Sequence, residues 1–281
     1  MQNLINGKEL SKILLDNLKV KIMNIKNNRL PKIVVVQVGD NPSSNKYIQH
    51  KIKSIENIGM LHDHLKLDGR TSQEELLKHI DFLNKDETVD GIIVQLPLPK
   101  HIDVFTINSR ISPKKDADGF SPCTIGDVVL GNSIIYPATP LGIIKLLEWK
   151  NIKIAGANIV VIGKSNIVGK PLANMLLNKS ATVTICHKQT KDVKKFAKES
   201  DILISAAGCA NLVTKEFVHE NMTIIDVGAN FVNGKYCGDV DFESVKDIVK
   251  WITPVPGGVG PMTIACLLEN VYNLYLQNCL K

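Results

Sequence analysis

The stretch Val160-Val161-Ile162-Gly163-Lys164-Ser165-Asn166-Ile167-Val168-Gly169-Lys170-Pro171 decides the fold class of this chain. It opens with a β-branched run that reads as a buried strand. Gly163 permits a tight turn, and a helix is expected from about residue 167. A strand that feeds a helix through such a turn aims backbone N–H groups and a helix N-terminus at a phosphate. Ser165 stands where the usual dinucleotide fingerprint has a second glycine, and its hydroxyl can donate to a phosphate. Gly169 lets helix and strand pack closely. A glycine turn is often only a turn, so the residues on either side have to decide.

Downstream, strands are expected near 181–186, 201–205 and 222–226, with a helix over 167–178. In NAD enzymes an acidic residue near the end of the second strand binds the ribose hydroxyls. Here Thr182-Val183-Thr184-Ile185 runs into Cys186-His187-Lys188-Gln189-Thr190, without a carboxylate. Lys188 offers positive charge instead, and Lys164 offers more. Both suit the additional phosphate of NADP, so NADP is expected over NAD; the bland alternative is two surface lysines in a Lys-rich chain.

Upstream, helical and extended patterns alternate in the same way. Leu10, Ile13, Leu14, Leu18, Ile22 and Ile25 give helical spacing over 8–27, and Ile33 to Val38 reads as a buried strand. A helix to about Ile58, a strand near 60–67, a helix near 72–84 and a strand near 89–95 follow. Residues 96–138 carry five prolines (Pro97, Pro99, Pro113, Pro122 and Pro137) and read as loop-rich. A helix is expected from Thr139-Pro140 to about Trp149, and a closing helix from about Pro261. The expectation is an α/β protein of two lobes. An N-terminal α/β substrate lobe takes residues 1–139, and a Rossmann-like parallel-sheet dinucleotide-binding lobe takes 140–260. The C-terminal helix, 261–281, packs back on the first lobe.

Composition narrows the classes. The chain has 281 residues, 44% hydrophobic and 22% charged, an ordinary globular mix. The net charge of +6 comes from lysine. It reads first as a solvated surface and second as steering of an anionic ligand. No basic run is interleaved with aromatics, so nucleic acid is not an expected partner. The six cysteines form no CxxC pair, which speaks against a zinc site or a redox motif, and most are expected to be small buried hydrophobes. The N-terminus lacks a signal peptide's apolar core, and no apolar stretch approaches the length of a membrane span. A cytoplasmic chain with reduced thiols is expected.

The first lobe holds a scattered polar set. Tyr47 and Lys51 stand one helical turn apart and share a face. Alone, such a pair is ordinarily structural. Three other segments add to it. Asp90-Gly91-Ile92-Ile93-Val94-Gln95-Leu96-Pro97-Leu98-Pro99 runs from a buried strand into a proline-stiffened loop, with Gln95 at the exit. Lys114-Lys115-Asp116-Ala117-Asp118-Gly119-Phe120 puts two carboxylates after two lysines. Thr253-Pro254-Val255-Pro256-Gly257-Gly258-Val259-Gly260-Pro261-Met262-Thr263 is dense in Gly and Pro, which suggests close backbone approach to a ligand. Asp116-Ala117-Asp118-Gly119 lacks the remaining ligands of a calcium loop. His62 and His64 flank Asp63 without companion ligands and read as surface residues.

Together, in this order, these motifs and Thr139-Pro140-Leu141-Gly142 resemble those of the bifunctional methylenetetrahydrofolate dehydrogenase/methenyltetrahydrofolate cyclohydrolases, over nearly the whole chain. The resemblance implies NADP-dependent oxidation of 5,10-methylenetetrahydrofolate and hydrolysis of the product to 10-formyltetrahydrofolate. It implies Lys51 as the catalytic lysine, Tyr47 stacked on the folate, Gln95 hydrogen-bonded to Lys51, and Asp118 holding the pterin. Val94, Leu96 and the run Pro256, Gly257, Gly258, Val259, Gly260, Pro261, Met262, Thr263 and Ile264 would line the folate site. Gly163, Lys164, Ser165, Lys188 and Ala229 would contact the dinucleotide. It implies a homodimer and a supply of formyl groups for purine synthesis, and no metal site is expected from the residues themselves. Lys164 stands where the family usually has Arg, so a planar fork becomes a point charge.

Chemistry then sets a requirement. Hydride transfer needs donor and acceptor held together, and a cleft between the lobes is the expected place. Water attack on the resulting cation needs a base. Lysine is a base near neutral pH only if desolvation or nearby positive charge lowers its pKa. Two rivals stand beside this reading: a monofunctional dehydrogenase of the same fold, and a catalytically silent dinucleotide-binding module. Enzyme-driven hydrolysis of methenyltetrahydrofolate without NADP separates the first, and folate binding separates the second.

Overall fold

The structure, a computed structural model, describes residues 3–26, 29–232 and 234–279. The chain divides into two compact units. One comprises the described residues of Met1–Lys12 and Thr139–Thr263, the other those of Ile13–Ala138 and Ile264–Lys281.

The second of these holds most of α1 (Gly7–Met23), then β1 (Lys32–Val38), α2 (Pro42–Ile58), β2 (Leu61–Leu67), α3 (Gln73–Lys85) and β3 (Gly91–Val94). α4 (Val104–Arg110) and α5 (Pro122–Leu130) complete it up to Ala138. β1 is the middle strand of a three-stranded parallel sheet, between β2 and β3. Ile33 to Val36 are buried together, as a central strand covered on both faces requires. α3 begins on Ser72, whose side chain accepts the Glu75 N–H at 3.1 Å. Its far end is capped by the buried Lys115, whose Nζ donates to the carbonyls of Leu83 at 2.8 Å and Asp86 at 2.5 Å.

The stretch 96–138 is less loop-rich than expected, because α4 and α5 lie within it. Each is too short to show a helical period. Their start signals, Asp103 accepting from Thr106 N and Ser121 from Thr124 N, were there to be read. Pro122 occupies a first-turn position, where proline favours a helix and not a loop. α1 ends at Met23, short of the expected boundary; residues 27 and 28 lie outside the described residues.

The other unit contains α6 (Ala138–Trp149, from its second residue), β4 (Asn158–Ile162), α7 (Gly169–Asn178), β5 (Thr182–Cys186), α8 (Val193–Lys198) and β6 (Ile202–Ser205). A 3-10 turn at Lys215–Phe217, β7 (Thr223–Asp226), the hairpin β8 (Asn230–Val232) and β9 (Lys235–Cys237), α9 (Phe242–Val245) and β10 (Trp251–Ile252) follow. α10 (Val259–Cys279) starts here and continues into the other unit. The five-stranded sheet has the order β10-β7-β6-β4-β5 and is parallel throughout. From β4 the chain first moves to β5 on one side, then returns to β6 on the other. The order therefore reverses between β4 and β6, the point at which open α/β sheets bind ligands.

The first residues belong with this sheet. Ile5 N–H donates to Ile252 O at 2.8 Å and Ile252 N–H to Asn3 O at 3.0 Å, so the N-terminal segment lines the β10 edge. α10 begins at Val259, so the end of the Gly/Pro-rich loop is already helical. The cysteines depart from expectation. Cys186 and Cys266 are buried, Cys123 and Cys209 are exposed, Cys237 and Cys279 lie between, and none of the six is in a disulfide. Cys123 sits in the first turn of a short helix and Cys209 in a loop, where small size does not bring burial. Among the described residues no helix is long and apolar enough to cross a membrane.

Candidate active site

Within the unit built on β1, four of the expected residues meet. α2 follows the carboxyl end of β1 and presents Tyr47 and Lys51 on one face. Gln95 leaves the carboxyl end of β3, with its backbone N–H on Val36 O at 2.8 Å. Lys51 is 4% exposed, and its Nζ donates to Gln95 Oε1 at 3.0 Å. Gln95 Nε2 donates to Leu96 O at 2.7 Å, which fixes the amide with its oxygen toward the lysine. Nζ also lies 4.7 Å from the centre of the Tyr47 ring.

Burial pushes the Lys51 pKa below the ordinary lysine value, and the Asp118 carboxylate opposes part of that fall. The Asp118 carboxyl is itself pushed up to about 6 by burial, against the pull of Lys51, with the Asp116 charge adding to the rise. Burial also raises the Tyr47 hydroxyl, which stays protonated. The group is therefore a desolvated amine beside a neutral amide, an aromatic face and a carboxyl.

Asp116 and Asp118 do different work. Asp116 Oδ1 accepts the N–H groups of Gly119 at 3.0 Å and Phe120 at 3.1 Å. Its Oδ2 accepts Ser121 N–H and Thr124 Oγ1, both at 2.8 Å. On the other side Asn270 of α10 donates from Nδ2 to Ala117 O at 2.9 Å and Tyr136 O at 2.7 Å. Two supports thus hold the loop that carries Asp118. The family resemblance singles out Asp118 and gives no role to Asp116 or to Asn270. The only sequence signal for Asp116 was the Asp-x-x-Gly spacing of a side chain that closes its own turn.

In the unit built on β4, the glycine turn is as tight as its sequence implies. Gly163 has φ +132°, and a Cβ there would fall 2.3 Å from Ala206 O. A Cβ on Gly169 would fall 2.0 Å from Gly163 O. Ser165 Oγ accepts from Val168 N–H at 3.2 Å and Gly169 N–H at 3.3 Å, which leaves its own hydrogen free to donate outward. Lys164, Lys188 and Ala229 are exposed, and β5 ends in Cys186 without a carboxylate.

Both halves of the chain match known sequences. The model of the tetrahydrofolate dehydrogenase/cyclohydrolase catalytic domain covers residues 5–118, and that of the same family's NAD(P)-binding domain covers 137–279. The chain belongs to the tetrahydrofolate dehydrogenase/cyclohydrolase family. It is similar to the bifunctional protein FolD of Lysinibacillus sphaericus, 50% identical over 95% of each chain. It is also similar to the crystal structure of the bifunctional FolD methylenetetrahydrofolate dehydrogenase/cyclohydrolase of Campylobacter jejuni (TM-score 0.95, 45% identity, 98% of this chain and 99% of that one). FolD of Trypanosoma brucei, complexed with NADP cofactor and inhibitor, aligns with TM-score 0.94 at 33% identity over 98% of each chain.

As a member of this family the chain carries its motif positions at different depths. Val94 is buried, whereas Leu96 is half-buried at the loop entrance. Of the run after Val255, Pro256 and Gly260 are exposed and Gly257, Pro261 and Thr263 half-buried. Gly258, Val259, Met262 and Ile264 are buried. Pro256 to Thr263 fall in the β4 unit, with the glycine turn; Ile264 falls in the β1 unit, with Lys51.

Proposed function

We propose that this chain oxidises 5,10-methylenetetrahydrofolate to 5,10-methenyltetrahydrofolate with NADP and hydrolyses that product to 10-formyltetrahydrofolate. The observation that carries this reading is the buried Lys51 amine on Gln95, beside Asp118, in a chain of this family.

The residues of the glycine turn fit NADP. The backbone leaves no room for a Cβ at Gly163 or Gly169, Ser165 has a hydrogen to give, and the acid that would meet a ribose 2′-phosphate is missing. Gly163, Lys164, Ser165, Lys188 and Ala229 would hold the cofactor. Bound NADP supplies the hydride acceptor for the methylene carbon. The chain's part in that step is to place the folate, with Tyr47 offering its ring and Asp118 an acceptor for pterin N–H groups.

In hydrolysis Lys51 acts as base. Its neutral amine takes a proton as water adds to the methenyl carbon, and returns it to the ring nitrogen as the carbon–nitrogen bond breaks. The second water proton leaves to solvent as the formyl group forms. Gln95 holds the ammonium between these transfers. Because the Lys51 pKa lies below that of a free lysine, hydrolysis rises with pH through that lowered value and levels off before the ordinary range.

We place the folate with residues 1–139 and 261–281 and the dinucleotide with 140–260; of the former, residues 3–12 group with the unit built on β4. A cytoplasmic homodimer completes the proposal. A spectrophotometric assay tests the function: added methenyltetrahydrofolate should disappear without NADP, and methylenetetrahydrofolate should reduce NADP with a higher kcat/KM than NAD. Dehydrogenation without hydrolysis would leave a monofunctional enzyme, and no folate binding in calorimetry would overturn the reading.

A further inference from the structure

A second buried acid cluster stands at the carboxyl ends of β6 and β7, apart from Lys51. Asp239 is 0% exposed and meets donors on both oxygens. Its Oδ2 accepts Ala207 N–H at 2.7 Å, Gly208 N–H at 3.1 Å and Ser205 Oγ at 3.2 Å. Its Oδ1 accepts Cys209 N–H at 2.9 Å and Asn230 Nδ2 at 2.9 Å. Three successive amides of an exposed loop thus turn inward onto one carboxylate, the concave arrangement that backbone uses to wrap an anion.

That loop begins at Ala206, whose N–H donates to Ile162 O at 2.8 Å and whose carbonyl closes against Gly163. It follows β6, and the glycine turn follows β4. The sheet order reverses between these two strands, so the two connections flank the crevice where a dinucleotide lies. Asp239 is set in turn by Asp226, whose Oδ1 accepts the Asp239 N–H at 2.9 Å and whose Oδ2 accepts the Val240 N–H at 3.0 Å.

We infer that Asp239 is a positioning residue for the dinucleotide: by gathering the amides of residues 207–209 it holds the loop after β6 as the crevice wall facing Gly163. Resting on the NADP-dependent reading above, it adds a residue that touches neither cofactor nor folate. The geometry makes the carboxylate irreplaceable by its amide. Both oxygens face donors, so an Asn at 239 turns an NH2 group against N–H groups whichever way it flips. The wall loses its shape while Lys51, Gln95 and Asp118 keep theirs.

Steady-state kinetics on the full chain test this with Asp239→Asn and Asn230→Ala. Asp239→Asn should raise the KM for NADP about tenfold or more, as expected for lost hydrogen bonds to a charged group. The KM for methylenetetrahydrofolate and the NADP-free hydrolysis of methenyltetrahydrofolate should stay within about twofold. Asn230→Ala, which removes one donor, should give a smaller rise in the NADP KM alone. The inference is overturned if hydrolysis falls in parallel with dehydrogenation. It is overturned equally if Asp239→Asn folds and leaves the NADP KM unchanged. Should that variant fail to fold, an unchanged NADP KM in Asn230→Ala overturns it. A wild-type chain that reduces no NADP would instead refute the proposed function.

Discussion

Lys51 and Asp239 are both ionisable and both nearly inaccessible to water, yet they are built to opposite ends. Asp239 is met by five donors, three of them consecutive backbone amides, so its surroundings are fixed by it. Lys51 touches an amide oxygen and the face of a ring, neither of which bears a full charge, and the nearby Asp118 carboxylate offsets only part of its burial. Burial therefore depresses the Lys51 pKa. Burial by itself makes a group neither reactive nor structural. The number and charge of its partners decide which it becomes.

The largest effect that can break this contrast is Lys51→Met. Hydrolysis of methenyltetrahydrofolate should fall by about a thousandfold or more, the range of a lost general base. NADP binding, measured by quenching of protein fluorescence, should be unchanged. Wild-type hydrolysis in this variant would remove Lys51 from the mechanism.

Asp116→Ala tests the structural pole. It removes the carboxylate that accepts from three backbone N–H groups and a hydroxyl, leaving Phe120 N–H and Ser121 N–H without that acceptor, and should cost about 3 kcal/mol in urea unfolding. A loss below about 1 kcal/mol would mean that water or another group takes over these donors.

Asp118→Asn should raise the folate KM about tenfold, through the lost charge on the pterin. It should also move the rising limb of the hydrolysis pH profile to lower pH, since Asp118 is what lifts the Lys51 pKa. A stability difference accompanies this. The folded Asp118 carboxyl titrates at about 6, above the 3.8 of a free group, so the folded state holds its proton more tightly. Its ionisation disfavours the fold as pH rises from about 4 through about 6. Asp118→Asn should thus be more stable than wild type above pH 6, with the gap closing toward pH 4, read as Tm against pH. A gap independent of pH would contradict this. The smallest expected change is for Lys188→Ala: a rise of about fivefold in the NADP KM with little change for NAD, as befits an exposed charge.

How much of this was legible in advance follows the same physics. β1 and β4 are runs of Ile and Val covered on both faces, and such runs announce themselves. The glycine turn did so too, because Gly163 and Gly169 lie where any Cβ would collide with backbone. α4, α5 and α8 did not, being too brief for a 3.6-residue period to emerge. Tyr47, Lys51, Gln95 and Asp118 could be grouped from motifs. The resemblance names Asp118 and is silent on Asp116, whose structural part shows only in the N–H groups that turn onto it. Asp239 lies in Cys237-Gly238-Asp239-Val240-Asp241, a short acidic stretch like many on a surface. Its partners at 205–209 and 230 become neighbours only through the sheet order, which no local pattern encodes.

The Asn270 bridge to Ala117 and Tyr136 has a consequence for synthesis. Ala117, in the loop bearing Asp118, is translated 153 residues before Asn270, the side chain of α10 that pins it. A nascent chain still attached to the ribosome can finish the β4 sheet before it can finish its folate-holding half. Stop codons that remove only the last few turns should release chains that still retain nucleotide but no longer retain folate.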